Sequence, residues 1–161
     1  MKRSKKIVSF LLGLLMFFSI GVNVNADSFE DLGKTIDGSK LLNTNESTVT
    51  VESLDRGNIL NNGTASIANN GNGEVNVYGA VLGSVVCDKL VLRMTLQRYS
   101  NGSWKNVQSF SDTRYNHSML TKSYDVPVTR GYYYRVKAVG VAYKGDITES
   151  KMPITDGIWI D

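Results

Sequence analysis

The stretch KLVLRMTLQR, Lys89 to Arg98, constrains this chain more than any other. Leu90, Leu92, Met94 and Leu96 occupy alternate positions, with Val91, Arg93, Thr95 and Gln97 between them. A period of two places the first set on one face of an extended strand and the second on the other. A helix would need apolar residues at a period of 3.6.

The same texture recurs from Gly57 onward. TASIA, EVNVYGAV, SWKNVQSF, SYDVPV, YYYRVKAVGVAY, ITES and GIWI read as short strands. Turn formers separate several of them: Asn69–Gly73, the Ser-Asn-Gly of residues 100–102, and Lys144–Asp146. Asn-Gly between alternating segments is a strong hairpin signal. Pro127 lacks a ladder donor and predicts an edge strand or a strand end. Period-two strands at this spacing predict an all-β fold: a β-sandwich of about seven antiparallel strands, or a small barrel. Leu92, Met94 and Val136 are expected in its core. In RGYYYRVKAVG, Tyr132, Tyr134, Val136 and Ala138 share a face, and Arg135 and Lys137 mark the opposite one as outward. Tyr133 is therefore expected to point out.

The N-terminus reads as an export signal. MKRSKK supplies a basic region, Ile7–Val22 an uncharged apolar run, and Val24 and Ala26 the small residues that favour cleavage after Ala26. The alternative is a membrane tether made of the uncleaved signal, but a run of 16 residues is short of the roughly 20 that span a bilayer. Removing residues 1–26 takes four Lys/Arg from 18 and none of the 15 acids, leaving 14 against 15 and a net charge of −1. The basic character of the precursor thus belongs to the signal. Nucleic acid and anionic membrane lose their main sequence support as partners of the mature form. Residues 27–56 read as a flexible polar leader with one short strand at TVTVES, and 57–161 as the folded domain.

The segment VTRGYYYRVKAVGVAYKGDITES resembles the F–G region of fibronectin type III and related immunoglobulin-like domains, and LQRYSNGSWKNVQSF resembles a C–C′ hairpin. That register implies Tyr132 as the corner tyrosine, its hydroxyl bonded back to the preceding turn. The region from Gly57 to Asp161 also resembles a family of small secreted Gram-positive proteins built on a domain of unknown function, through LQRYSNGSW, GYYYRVKA, TES and the terminal DGIWI. This second resemblance implies no activity and no catalytic residues.

The residues argue against catalysis. His117 is the one histidine and falls in a turn-rich segment, TRYNHSML, without a Gly-x-Ser-x-Gly nucleophile motif. Cys87 and His117 are too few to hold zinc. The acids are scattered, with no pair to flank a glycosidic bond. Neither a cofactor nor a metal is expected. Cys87 reads as a small apolar residue on a strand.

Aromatic side chains are the better lead. Tyr99, Trp104, Tyr115, Tyr133 and Trp159 fall at turns or outward positions and are the candidate ligand-binding residues, since exposed Tyr and Trp offer flat apolar faces with a polar tip. The expectation is a secreted, non-catalytic β-sandwich that binds cell-envelope glycan or a surface protein. The alternatives are a bacteriocin-like secreted antagonist and an extracellular hydrolase.

Overall fold

The computed structural model describes residues 32–53 and 59–161; the expected signal segment lies outside them. Nine strands follow in chain order: β1 (Thr35–Ile36), β2 (Ser39–Leu42), β3 (Glu46–Glu52), β4 (Leu60–Gly71), β5 (Glu74–Ser100), β6 (Ser103–Pro127), β7 (Tyr132–Lys144), β8 (Ile147–Lys151) and β9 (Gly157–Ile160). The described residues are all-β. The strands run β1-β2-β9-β7-β5-β4-β3, with β6 paired to β5 and β8 to β7. Every pairing is antiparallel except that of β2 with β9.

Local chemistry sets the hairpins. Asn72 and Gly73 join β4 to β5 with φ of 54° and 73°, and Asn101 and Gly102 join β5 to β6 with φ of 52° and 74°. Two consecutive positive φ values define the type I′ turn, whose twist matches that of the flanking strands. Both turns fall on Asn-Gly, as the sequence predicts.

The length of β5 and β6 decides the architecture. Residues 74–83 of β5 pair with β4, and Lys89–Arg98 pair with β7. β6 follows β5 along both halves, with a register shift between Leu82 and Cys87. The sheet curls there, and the two halves of β5 meet across the core. A Cβ on Gly79 would lie 2.5 Å from Met94 Sδ, and one on Gly140 would lie 2.6 Å from Val81 Cγ2. Val75, Val77 and Val81 of the first half share one cluster with Leu90, Leu92, Met94 and Leu96 of the second, and with Val136 and Ala138 of β7. Leu92, Met94 and Val136 are buried as expected.

Several expectations change. One curled, continuous sheet of nine strands replaces two separate sheets of about seven. EVNVYGAV and KLVLRMTLQR are one strand because Gly83–Val86 bends without closing a turn. His117 lies within β6 and pairs with Cys87 rather than sitting in a loop; its neighbour Asn116 takes φ of 55°. The described part of the expected leader carries β1, β2 and β3, anchored by fully buried Leu41. The strand expected at TVTVES is present as β3. Cys87 is buried, and desolvation raises its thiol pKa above the ordinary value.

Candidate functional site

The alternation in β5, β6 and β7 gives this part of the sheet a core face and an outer face. Cross-strand partners share a face. Thr95 pairs with Ser109 and Lys137, Gln97 with Asn106 and Arg135, and Arg93 with Ser111 and Val139. Side chains from three strands therefore converge outside the core. They line a half-open depression of about 260 Å³ formed by Arg93, Thr95, Gln97, Asn106, Lys137 and Val139.

Arg135 closes one end of this face. It is 2% exposed, although a charged side chain is seldom buried without partners. Its Nε donates to Gln97 Oε1 at 2.8 Å, its Nη1 to Ser39 Oγ at 2.8 Å and to the Asp37 carbonyl at 3.0 Å, and its Nη2 to Asp37 Oδ2 at 2.9 Å. The guanidinium also lies 4.3 Å from the Trp104 ring centroid. Burial lowers its pKa, while Asp37 opposes the shift; a guanidinium stays charged throughout the physiological range.

This bonding reaches the depression. Gln97 accepts from Arg135 and donates through Nε2 to Asn106 Oδ1 at 2.8 Å. That bond turns the Asn106 amide so that Nδ2 is left as a donor on the outer face. Thr95 and Ser109 share a hydroxyl contact at 3.2 Å beside it. Among the described residues, Arg93 and Lys137 form no ion pair.

The five aromatic candidates belong to this same face by register. Tyr99 pairs with Trp104, Tyr115 with Lys89, and Tyr133 with Trp159. Their exposure differs. Tyr115 is 62% exposed at the far end. Trp104 is half-buried: Arg135 covers its ring, Tyr99 tilts against it at 5.3 Å, and a Cβ on Gly157 would meet its Cη2 at 2.7 Å. Its indole N–H is buried without a hydrogen-bond partner. Tyr133, expected to point out, does lie on the outer face, but it is 3% exposed and packs edge-on against Trp159 at 5.1 Å. β9 covers it, and β2 extends the sheet beyond β9.

The tyrosine bonded back to the preceding turn is Tyr134, not Tyr132. The Tyr134 hydroxyl donates to the Thr129 carbonyl at 2.7 Å, five residues upstream. Burial raises its pKa. Tyr132 instead lies under Arg98, 4.4 Å from guanidinium carbon to ring centroid. The resemblance placed the corner two residues early; both tyrosines share the core-side parity, so alternation alone cannot separate them.

The pattern of a family of unknown function, DUF6147, matches residues 33–156. This chain belongs to the DUF6147 family. The match includes β1, β2 and β3, in agreement with their place in the sheet. No curated protein sequence matches the chain. Among solved structures, the crystal structure of Spo0M, a sporulation control protein from Bacillus subtilis, is similar at 12% identity and a TM-score of 0.29; the similarity covers 73% of this chain and 51% of that one, so the chain spans about half the length of Spo0M.

The DUF6147 outer face assembles polar residues that composition did not single out. Arg93, Thr95, Gln97 and Lys137 were visible as the outward half of two alternating strands. Their convergence, and that of Asn106, depends on register, which no local stretch reveals. Among the described residues, no group of three or more His, Cys, Asp and Glu could hold a metal ion.

Proposed function

We propose that this DUF6147 chain is exported, is cleaved after Ala26, and acts outside the cell as a non-catalytic module that binds a cell-surface glycan through the outer face of β5, β6 and β7. The observation carrying this reading is the depression lined by Arg93, Thr95, Gln97, Asn106, Lys137 and Val139. Its donors and hydroxyls sit on paired strands, and a chain of hydrogen bonds from Arg135 holds Gln97 and Asn106. Such a shallow polar surface suits a chain of hydroxyl-rich units laid across it, with Tyr99, Tyr115 and the exposed edge of Trp104 as apolar contacts. Tyr133 and Trp159 would serve by supporting that end of the face. Kinship with immunoglobulin-like domains is supported by the Tyr134 corner.

The test is a pull-down of the exported protein on insoluble cell walls and a panel of polysaccharides, beside an Asn106→Ala, Lys137→Ala double variant. Retention by walls or glycans that the variant loses supports the reading. Retention of both proteins alike contradicts the site, and retention of neither contradicts the function.

A second reading, a protein partner, is favoured by one observation. The bend of β5 exposes Val85 at 42% and Val86 at 55%, with Met119 of β6 exposed at 49%. The β7–β8 turn packs there through Lys144 Nζ to the Val86 carbonyl at 2.7 Å and the Gly145 amide to Asp88 Oδ2 at 2.7 Å. Retention on whole cells that survives enzymatic removal of glycan, and is lost on Val86→Asp, would select this reading.

A further inference from the structure

We infer that the outer face takes an acidic glycan, a chain bearing repeated carboxylates or phosphates, with Arg93 and Lys137 as its anion contacts. This rests on the glycan-binding reading and specifies its ligand. Lys89 and Arg93 lie four residues apart on one face of β5, about 13 Å along the strand. Lys137 lies diagonally across from Arg93, since Arg93 pairs with Val139 and Lys137 with Thr95; such neighbours are about 7–8 Å apart. Like charges this close repel, and among the described residues Arg93 and Lys137 have no acid to relieve them.

The acids of this region are turned elsewhere and occupied. Asp112 pairs with core-facing Leu92, accepts from Tyr124 at 2.6 Å and holds Lys122 at 3.1 Å. Glu149 pairs with core-facing Ala142 and accepts from the Leu60 amide at 2.9 Å. Asp88 accepts from the Gly145 amide. Asp37 reaches the face but is held by Arg135. Among the described residues, the open part of the face is thus rich in donors and carries no carboxylate other than that of Asp37 at its Arg135 end: two cations, the Asn106 amide and the hydroxyls of Thr95 and Ser109. A neutral sugar can accept from these donors, but it brings no negative charge to offset the two cations. A carboxylate or phosphate offers only acceptors, and a guanidinium meets either with paired hydrogen bonds. Lys89, about 13 Å along the strand from Arg93 and lying over the Tyr143 ring at 4.7 Å, adds a further cation that a chain of repeated anions can reach and a single small anion cannot. The depression itself is smaller than the roughly 300–1,000 Å³ of an enclosed small-molecule site, which fits one unit of a chain that continues over the open surface.

The test measures binding of the exported protein to immobilised polygalacturonate, to a poly(glycerol phosphate), to the fully methyl-esterified form of the first, and to single-stranded DNA. Binding to either acidic glycopolymer, at least about tenfold weaker on the methyl ester and on DNA, is the expected result. Arg93→Ala with Lys137→Ala should reduce it about tenfold or more, and Arg93→Lys should restore part of it. Both residues lie outside the core, and an unchanged thermal midpoint confirms that the variant is folded. Raising the salt from 0.05 to about 0.5 M should weaken binding in the same direction, because exposed charges are screened. Equal binding to the methyl ester would overturn the inference while leaving the glycan reading intact. Equal or tighter binding to DNA would overturn it in favour of a general polyanion surface. Failure to bind any polysaccharide or any cell wall would remove both.

Discussion

Arg135 shows how one residue joins the fold to the site. Its four hydrogen bonds tie the Asp37–Ser39 segment to β5 and β7 and orient Gln97. Arg135→Met would strand Ser39 and Gln97 and remove the cation from the Trp104 ring. A loss of about 2–3 kcal/mol in urea unfolding is expected, the scale of buried hydrogen bonds to a charged group. Asp37→Asn should cost less, about 1 kcal/mol or below, because the Asp37 side chain is 73% exposed and its pair is screened, and Asn keeps the tolerance for the φ of 49° found there. Equal costs for the two would contradict the account of Arg135 as the hub. Tyr134→Phe should cost about 1 kcal/mol through the lost bond to Thr129, whereas Tyr132→Phe should cost nothing comparable. The Cys87 thiol is held neutral by burial, so its stabilising contribution is fully present below the ordinary value of 9.0 and is lost as pH rises through the higher folded value. Alkylation of Cys87 should therefore be slow in the folded protein and fast in urea at pH 8. Asp125 is the opposite case. Hydrogen bonds from Asn76 and Asn70 lower its pKa, so its contribution is present above about 3.8 and lost as pH falls through the lower folded value. At this scale much was legible. Alternation identified the core side of Lys89–Arg98 and the burial of Tyr134. It missed the burial of Tyr133 and Arg135, because what covers their face arrives from residues 35–42 and 157–160, far away in sequence.

At the scale of elements, the β5–β6 hairpin is the defining feature. Its turn was readable because Asn-Gly at residues 101–102 has a backbone requirement that other dipeptides meet poorly. Gly102→Ala should cost about 1 kcal/mol, since nothing crowds the position but φ is 74°. The bend at Gly83–Val86 was not readable as continuous strand. Gly, Ser and exposed valines look like a loop until β6 is seen to run past them. Gly140→Ala tests the fold-over directly. A methyl there meets Val81 Cγ2 at 2.6 Å, and Val81 is branched and lies in the core, so overpacking should cost about 1–3 kcal/mol. Gly79→Ala meets the flexible end of Met94 and should cost less. If Gly140→Ala left the unfolding midpoint unchanged, the two halves of β5 would not face each other as described.

At the scale of the whole molecule, net charge and local charge point in different directions. The mature chain is expected to carry a net charge of −1, yet its outer face gathers Arg93 and Lys137 with no acid between them among the described residues. Composition reports only the sum; register decides where each sign lands. The sequence made the all-β class, two Asn-Gly turns and the shared parity of five aromatics legible, of which Tyr115 is exposed and Tyr133 is buried. It did not reveal that one sheet collects those aromatics on one face, or that the polar residues between them form the depression. Export with cleavage after Ala26 predicts a mature chain beginning at Asp27, which N-terminal sequencing of secreted protein would check. Ligand is proposed to dock on the outer face of β5, β6 and β7. The most direct measurement is NMR chemical-shift mapping of the labelled protein during titration with soluble acidic cell-wall fragments. Perturbations concentrated at residues 93–97, 106–111 and 135–139 are expected. Perturbations confined to Val85, Val86 and Met119, or none at saturating fragment, would contradict this docking.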